Sequence, residues 1–287
     1  MPQITFLGTG LMGAPMARHL AKTHAVTVWN RSFEKAQGLA DVAKVASDPV
    51  EAARGADIVI SMLIDGPASR AILQDQGVIE AAAPGALIIN MASVEPECDR
   101  DQALYAQSLG KRFVDAPVSG GVKGASEQTL SIFVGGTPED FLAAKPILEI
   151  LGRPTHMGPI GTGQTAKLAN QLIVAITIGA VAEAFTLAQS AGCDLGTLRE
   201  ALRGGFADSR ILDLHGARMV RGDFVPGGRS VAQLKDLNNA LNAAGEHHLT
   251  LPLSEQVQAG FDDLVKNKGG AELDHAAYFL WLKQIQN

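Results

Sequence analysis

The sequence has little cysteine, and this shortage excludes several kinds of site. Its 287 residues include only Cys98 and Cys193, which form no Cys-x-x-Cys pair. The chain therefore has neither a cysteine metal site nor a disulfide scaffold, and such sparse cysteine is typical of a reducing compartment. We expect a cytoplasmic protein.

Runs of positive charge are also lacking. The chain carries 24 Lys and Arg against 30 Asp and Glu, a net charge of −6, and its cations are scattered. Because nucleic acids and anionic membranes bind clustered cations, neither kind of partner is expected. The first residues, Met1-Pro2-Gln3, lead directly into an apolar strand, so we expect no signal or transit peptide. Small molecules are the expected ligands.

What the first half does contain is an alternation of strand-like and helical stretches, which predicts an α/β fold with a doubly wound parallel sheet of the Rossmann type. The strand-like runs are Ile4–Leu7, Val26–Trp29, Ile58–Leu63, Leu87–Met91 and Phe113–Asp115, with Ile132–Val134 as a candidate edge strand. After Pro154 only helical patterns follow. We predict a dinucleotide-binding domain over 1–161 and an all-helical substrate and dimerisation domain over 162–287.

One long helix, from about Gly163 to Gly192, is predicted to join the two domains. Within it, Leu168–Ala182 is almost entirely apolar but only 15 residues long, too short to span a membrane, so we expect a buried helix. A helix that is apolar on all sides needs cover on every side. A small domain does not supply that cover alone, which predicts a homodimer or homotetramer.

A glycine-rich turn, Gly8-Thr9-Gly10-Leu11-Met12-Gly13, follows the first strand and opens a helix. In a dinucleotide site the first glycine permits the tight turn, the second lets a pyrophosphate approach the main chain, and the third lets the helix pack closely. An ordinary strand-to-helix turn is the alternative. The second strand that follows completes a βαβ unit and favours the cofactor site.

The segment after the second strand, Asn30-Arg31-Ser32, carries no acid where NAD-selective folds place Asp or Glu. Arg31 can pair with the 2′-phosphate of NADP, and Asn30 and Ser32 can hydrogen-bond to it. This predicts NADP as the preferred cofactor, with NAD possible. In the alternative, Arg31 is merely solvated and either cofactor binds.

Lys167 is the only charged residue between Arg153 and Glu183. A lone ammonium near the start of a buried helix suggests proton donation or anion binding, although a lysine extending from the helix end into water is equally compatible with the spacing. Asn170 and Gln171 follow at i+3 and i+4, on the same helix face. They are candidates for orienting a substrate, or alternatively for satisfying nearby backbone.

Ser119, Gly120 and Gly121 follow a predicted sheet strand and form a plausible carboxylate nest. Alone, they would be a flexible turn. Lys235-Asp236 has the spacing of an exposed pair on a helix, and His247-His248 has no second ligand cluster, so no metal is expected. The roles of Arg210 and Arg229 stay open.

Taken together, four segments resemble the β-hydroxyacid dehydrogenase family over essentially the whole chain. They are the glycine-rich turn with its Met12 and Pro15, Asp115–Gly121, Gly161–Lys167 and Lys235–Leu237. The resemblance implies a nicotinamide cofactor bound by the glycine turn, by Leu63, Ile64 and Ser93, and by Lys235. It further implies a carboxylate held by Ser119, Gly120 and Gly121, and a catalytic Lys167.

Two departures refine this resemblance. Gln171 stands where most of the family has Asn, and Asn170 precedes it, so which amide orients the substrate stays open. Gln128 stands where glycine is usual, so that turn is expected to differ. The run Lys167–Gln171 is closer to tartronate semialdehyde (2-hydroxy-3-oxopropionate) reductases than to 3-hydroxyisobutyrate dehydrogenases, and Asn30–Ser32 resembles NADPH-preferring glyoxylate reductases.

The expected function is therefore reduction of a small carbonyl carboxylate, with tartronate semialdehyde favoured. Glyoxylate or succinic semialdehyde reduction and 3-hydroxyisobutyrate oxidation are the alternatives within the family. Imine reductases share the fold but usually lack the lysine, and 6-phosphogluconate dehydrogenases have a much longer helical domain. A non-catalytic dinucleotide-binding protein would tend to lose Lys167, which this chain keeps.

Overall fold

The structure is a computed structural model that describes residues 1–286. The chain divides into two compact units, Met1–Lys167 and the part from Leu168 onward. The first is a sheet covered by helices and the second is helical.

The first unit is built on a twisted sheet whose strands are buried because both faces are covered. The strands are β1 Gln3–Leu7, β2 Ala25–Trp29, β3 Lys44–Val45, β4 Ile58–Ser61, β5 Leu87–Asn90, β6 Arg112–Asp115, β7 Val118–Ser119, β8 Leu130–Gly135 and β9 Gly152–Gly158. Their order is β3-β2-β1-β4-β5-β6-β8-β7, with β9 also paired to β8. The first six in this order are mutually parallel, which confirms the predicted doubly wound fold.

Alternate residues of the central strands point into two separate cores, one on each face of the sheet. Phe6 and Ile60 belong to one core, and Leu7, Val59 and Ile88 belong to the other. The covering helices are α1 Gly13–Leu20, α2 Phe33–Gln37, α3 Pro49–Ala53, α4 Gly66–Arg70, α5 Val78–Ala81, α6 Pro96–Ser108, α7 Gly121–Glu127 and α8 Pro138–Leu148, with a π-helical turn at Ala71–Asp75.

Three strands were not predicted, for identifiable reasons. β3 and β7 have two residues each, too few for any periodicity to show. β9 contains two glycines and Pro154, a composition typical of loops. The proline is tolerated because β9 pairs only with β8. The predicted edge strand at Ile132–Val134 is wrong in its position, since β8 lies between β9 and the strands β6 and β7.

The turn before β8 keeps a left-handed backbone although it lacks the usual glycine. Gln128 has φ of 60°, and its side-chain Nε2 donates to the Ile150 carbonyl oxygen at 2.7 Å. This hydrogen bond offsets part of the cost of a left-handed non-glycine residue. The expectation that the turn would differ is therefore wrong in its backbone conformation.

The second unit consists of the long helix and those that follow it. They are α9 Thr162–Ser190, which begins in the first unit, α10 Leu195–Leu202, α11 Ala217–Arg221, α12 Ser230–Glu246, α13 Pro252–Lys266 and α14 Tyr278–Ile285, with a π-helical turn at Leu212–Gly216 and a 3₁₀ turn at His275–Ala277. Its core surrounds Phe185 and Phe261, and Phe185 meets Phe279 edge-on at 6.5 Å between ring centroids.

Helix α9 is only partly covered within one chain. By length and composition alone it is apolar enough to cross a membrane. Within its most apolar 18 residues, 33% are buried inside the structure. Ala175, Ile178 and Phe185 face the core, while Ile173 is 67% exposed and Leu187 is 72% exposed. The predicted all-round burial is therefore not achieved by a single chain.

Candidate active site

The carboxyl ends of the parallel strands form one edge of the first unit, and most of the predicted site residues follow these ends. Leu7 is in register with Trp29 and with Ser61, Ser61 with Asn90, and Asn90 with Asp115. The loops that leave these positions therefore start side by side. This is the edge at which open α/β sheets bind ligands.

The glycine-rich turn after β1 is closely packed at its two ends and open in its middle. Gly8 has φ of 98°, and a Cβ there would collide with the Met62 carbonyl oxygen. A Cβ on Gly13 would collide with the Gly8 carbonyl oxygen. A Cβ on Gly10 would meet no atom within 4 Å. The turn is thus closely packed at both ends and open at Gly10, as a pyrophosphate cradle requires.

Thr9 adds an unsatisfied polar atom to this turn. Its side chain is buried, and its Oγ1 has no hydrogen-bond partner among residues 1–286. Buried hydroxyls are normally paired, so an orphan one beside an open glycine fits a bound ligand. Together with the free N–H groups at the start of α1, these residues fit the phosphates of a dinucleotide.

The segment after β2 is connected to this turn through Asn30. Asn30 Oδ1 accepts from the Thr9 backbone N–H at 3.0 Å, and its Nδ2 donates to the Ser32 carbonyl oxygen at 3.0 Å. Both the oxygen and the nitrogen of this amide are therefore hydrogen-bonded within the protein. The sequence predicts a contact with a 2′-phosphate instead and does not reveal these two bonds. Arg31 is exposed and has no hydrogen bond or ion pair within the described chain, so its guanidinium is available to an anion.

Apolar side chains flank the turn. Leu11 is 78% exposed and Ile64, after β4, is 61% exposed. Leu63 is partly buried against one core of the sheet, and Met12 against the other. Ser93, after β5, is also partly buried. Exposed leucine and isoleucine at the carboxyl edge of the sheet are compatible with binding an apolar ring.

Ser119, Gly120 and Gly121 continue beyond the same edge. After Asp115 the chain runs antiparallel to β8, and Ser119 pairs with Ser131. Gly120 has φ of 137° and Gly121 has φ of 62°, so both positions favour glycine. Helix α7 begins at Gly121. The segment has the backbone form of an anion nest, the role predicted for it.

Two fully buried carboxylates hold the start of α9 against this edge. Asp115 accepts hydrogen bonds from the backbone N–H of Gly161 and of Gln164, both at 2.8 Å. Asp99, on α6, accepts from Gln164 Nε2 at 2.7 Å and from Asn90 Nδ2 at 2.6 Å. Burial raises the pKa of both carboxyls, at Asp99 well above its usual value with the Asp115 charge adding to the rise. The N–H donors oppose this shift.

The sequence interpretation missed Asp99 and Gln164. Asp99 lies between Glu97 and Asp101 on a helix that looks solvated, so nothing in the local sequence separates it from its neighbours. A stronger signal was available at Gly163, whose Cβ would lie 2.6 Å from Asp115 Oδ2. A glycine inside the first turn of a helix indicates a close approach of another group.

Lys167 lies one helical turn beyond Gln164. Its side chain is buried, with 8% of the residue exposed, so the alternative of a lysine extending into water is wrong. The helix start that carries it is fixed by Asp115 and Asp99 at the carboxyl edge of β5 and β6. Of the two interpretations, burial favours a functional ammonium.

In the second unit, Gln171 belongs to a separate hydrogen-bonded group. Its Nε2 donates to Asp236 Oδ2 at 2.6 Å, and its Oε1 accepts from Asn170 Nδ2 at 2.9 Å. Lys235 Nζ lies 3.4 Å from Asp236 Oδ1. The spacing-based prediction of an exposed pair is wrong, because Asp236 is 8% exposed. Asn170 thus contacts the side chain of Gln171.

The two remaining candidate arginines lie in the second unit. Arg229 pairs with Glu272 at 3.1 Å on the surface, and Arg210 is exposed. A group that could hold a metal, not foreseen in the sequence, comprises His215, Asp274 and His275, whose ligand atoms lie within 4.8 Å of one another.

Asp274 is already committed to the protein. Its carboxylate accepts from the backbone N–H groups of Gly227, Gly228 and Ala276, and Arg218 Nη1 lies 3.8 Å away. Burial raises the pKa of Asp274, but a hydrogen bond from His215, the charge of His275 and the backbone donors of Ala276 and Gly227 together hold it below its usual range. A cation is disfavoured beside the guanidinium, so the cluster has the form of a structural ion-pair network.

Comparison with known proteins fits this geometry. Residues 3–161 match the family model described as the NAD binding domain of 6-phosphogluconate dehydrogenase, and residues 161–282 match the model described as NAD-binding of NADP-dependent 3-hydroxyisobutyrate dehydrogenase. The chain belongs to the β-hydroxyacid dehydrogenase family. It is an NAD(P)-dependent enzyme acting on CH–OH groups, and its homologues act on small hydroxyacids.

Individual relatives cover the whole chain. The 2-hydroxy-3-oxopropionate reductase of Escherichia coli is 40% identical over 291 residues, covering 99% of this chain and 98% of the relative. The structure of Mycobacterium tuberculosis 3-hydroxyisobutyrate dehydrogenase with L-serine is 32% identical, with a TM-score of 0.90 and 99% of both chains covered. Psf3 with NADP⁺ and 2-OPP is 27% identical, with a TM-score of 0.87, covering 97% of this chain and 99% of Psf3.

The open side of the glycine turn is tested by Gly10→Ala. We expect NADPH affinity to fall about tenfold or more, equivalent to at least ~1.4 kcal/mol, because the methyl group occupies the space of the pyrophosphate. Thermal unfolding should stay close to wild type, since the new Cβ meets no protein atom. Gly245→Ala, also in open space, is the matched control. Unchanged NADPH affinity of Gly10→Ala, by fluorescence titration, would contradict the cradle.

Proposed function

We propose that this enzyme uses NADPH to reduce tartronate semialdehyde, or a closely related small carbonyl carboxylate. The observation that carries the chemistry is a buried lysine on a helix start fixed at the ligand-binding edge of the sheet. The substrate is supported by the 40% identity, over the whole chain, with a relative named 2-hydroxy-3-oxopropionate reductase.

In this proposal the cradle Gly8–Met12 and the start of α1 hold the pyrophosphate, while Leu63, Ile64, Ser93 and Lys235 border the nicotinamide. The bound cofactor supplies a hydride to the carbonyl carbon. Ser119 and the amides of Gly120 and Gly121 hold the carboxylate of the substrate.

Lys167 then supplies the proton. As negative charge develops on the carbonyl oxygen, its ammonium stabilises that charge and donates a proton to form the hydroxyl. In the oxidation direction the same amine must accept a proton. Gln171, held by Asp236, is proposed to orient the substrate, with Asn170 fixing the Gln171 amide.

A preference for NADP follows from the segment after β2. Arg31 presents an exposed guanidinium without a protein partner in the described chain, and no acid stands nearby in Asn30–Ser32 to repel a phosphate. Asn30 acts indirectly, by connecting this segment to the backbone of Thr9.

We further propose that two or more copies associate through α9. Ile173 and Leu187 expose large apolar side chains on a helix whose other face is buried in the core of the second unit. A homodimer or homotetramer would cover them, and sedimentation equilibrium measures this state. The two free cysteines are compatible with the proposed cytoplasmic location.

The cofactor proposal predicts a selective effect of Arg31→Ala. Binding of NADPH should weaken by about 1.5–3 kcal/mol, the contribution of one charge-assisted contact, while NADH binding changes little. Arg54→Ala removes a surface arginine that pairs with Glu51 and serves as the control. Titration of both cofactors decides: an equal loss for the two, or no loss, means that Arg31 does not select.

The catalytic proposal predicts that Lys167→Ala binds NADPH nearly normally but turns over about 10²–10⁴-fold more slowly, the usual share of general acid–base catalysis. Lys167→Arg should restore little, because guanidinium does not readily release a proton. Lys145→Ala, on the surface, is the control.

The assay for these variants uses initial rates with NADPH against tartronate semialdehyde, glyoxylate, succinic semialdehyde and, in reverse, 3-hydroxyisobutyrate. The highest kcat/KM is expected with tartronate semialdehyde. Turnover of Lys167→Ala within a few-fold of wild type would refute the assignment and point to Lys235. No turnover of any compound by the wild type would favour a non-catalytic cofactor-binding protein.

A further inference from the structure

A buried polar network connects the sheet edge to the start of α9, and the proposed chemistry does not use it. Its side chains, Ser61, Asn90, Asp99 and Gln164, are all fully buried. Burying a carboxyl group and two amides is costly unless every polar atom is paired. Such a network at the helix that carries the proposed proton donor calls for a functional explanation.

The orientation of the Gln164 amide is fixed by the main chain. Its Oε1 accepts from the Val94 backbone N–H at 3.2 Å, and its Nε2 donates to the Ala92 carbonyl oxygen at 2.8 Å. Rotating the amide by 180° would place donor against donor and acceptor against acceptor. Nε2 must therefore face Asp99, to which it donates at 2.7 Å.

The Asn90 amide is fixed in the same way. Its Oδ1 accepts from Ser61 Oγ at 2.9 Å and from the Ala92 backbone N–H at 3.2 Å, so its Nδ2 faces Asp99 and donates at 2.6 Å. Asp99 thus receives an N–H donor on each of its two oxygens. Only a group that can accept on both sides satisfies this arrangement, and an asparagine cannot.

The network fixes the first turn of α9 from two directions. The backbone N–H of Gln164 donates to Asp115 at the end of β6, and its side chain reaches Asp99 and the loop after β5. Lys167 follows three residues later, about 4.5 Å further along the helix and on the same face. A rotation of this turn would therefore displace the Lys167 side chain.

We infer that Asp99 and Gln164 are positioning residues that hold Lys167 at the reacting carbonyl. This inference rests on the proposed role of Lys167. The polar side-chain atoms of both residues are used within the protein, so they act through the helix and not on the substrate. A displacement of about 1 Å in a catalytic group reduces rates by up to about 10²-fold.

Exchanging the carboxyl and amide groups between Asp99 and Gln164 tests this inference. Asp99→Asn places two NH₂ groups against each other, and Gln164→Glu places two carboxyl groups against each other. The double variant Asp99→Asn/Gln164→Glu restores an amide facing a carboxylate, with Asn90 Nδ2 and Val94 N–H still paired. The hydrogen bond to the Ala92 carbonyl oxygen is lost, and a carboxylate oxygen then faces that acceptor.

Each variant is assayed for kcat per bound NADPH, for KM and for NADPH affinity. We expect each single variant to lose about 10- to 100-fold in kcat while NADPH affinity stays within about twofold. The double variant should recover part of that loss, because the amide–carboxylate pair is restored while the contact with the Ala92 oxygen stays unfavourable. Thr5→Val, which removes the buried hydrogen bond from Thr5 Oγ1 to Ala52, is the control for loss of stability and should keep kcat.

Because kcat is calculated per enzyme molecule that binds NADPH, unfolded enzyme does not lower it. A lower kcat then reports a displaced Lys167 and not a loss of folded protein. If Gln164→Glu does not fold, Gln164→Met, which removes the side-chain links without adding charge, takes its place and should show the same loss. Unchanged kcat in folded single variants, or no recovery in the double variant, would overturn the inference. Failure of the proposed function is distinct, because Lys167→Ala itself would then remain active.

Discussion

The attachment of one helix start to the sheet edge is the constraint on which the proposed site depends. Helix α9 begins at Thr162, and its first turn is hydrogen-bonded to Asp115 and to Asp99, both without solvent contact. Gly163 permits this contact, since a side chain there would collide with Asp115. The same edge holds the glycine turn after β1. The proposed proton donor and the proposed cofactor cradle are thus fixed by one sheet rather than by flexible loops.

Burial of charge at this edge carries an energetic cost that function explains better than stability does. Asp99 and Asp115 have pKa values raised by burial, so their ionised forms are disfavoured relative to water. An apolar core would be the more stable solution, as buried ion pairs and networks generally show. Oriented amide and backbone donors offset part of the cost and leave each group with one orientation. A single orientation of each group is what a proton transfer requires, because the donor must be held close to one particular oxygen.

Much of this could be predicted from sequence, and the failures have common causes. The apolar runs of β1, β2, β4, β5 and β6 and the glycine turn are local signals, and local signals located the sheet, its edge and Lys167. The strand β9 was missed because its composition is that of a loop. Asp99, Gln164 and the pair Gln171–Asp236 depend on contacts between residues 65 positions apart, which no periodicity records. Uncovered apolar positions such as Ile173 could be recognised only once one face of α9 was seen to pack.

The most direct test of the central claim, that the Lys167 ammonium delivers the proton, is chemical rescue. Lys167→Ala is assayed for carbonyl reduction in the presence of methylammonium, with tetramethylammonium as a cation of similar charge that has no proton to give. The account predicts that methylammonium restores turnover in a saturable manner and that tetramethylammonium does not, because the lost step is a proton transfer and not only charge stabilisation. Equal rescue by the two cations would contradict this account, as would the absence of rescue in an enzyme that still binds NADPH.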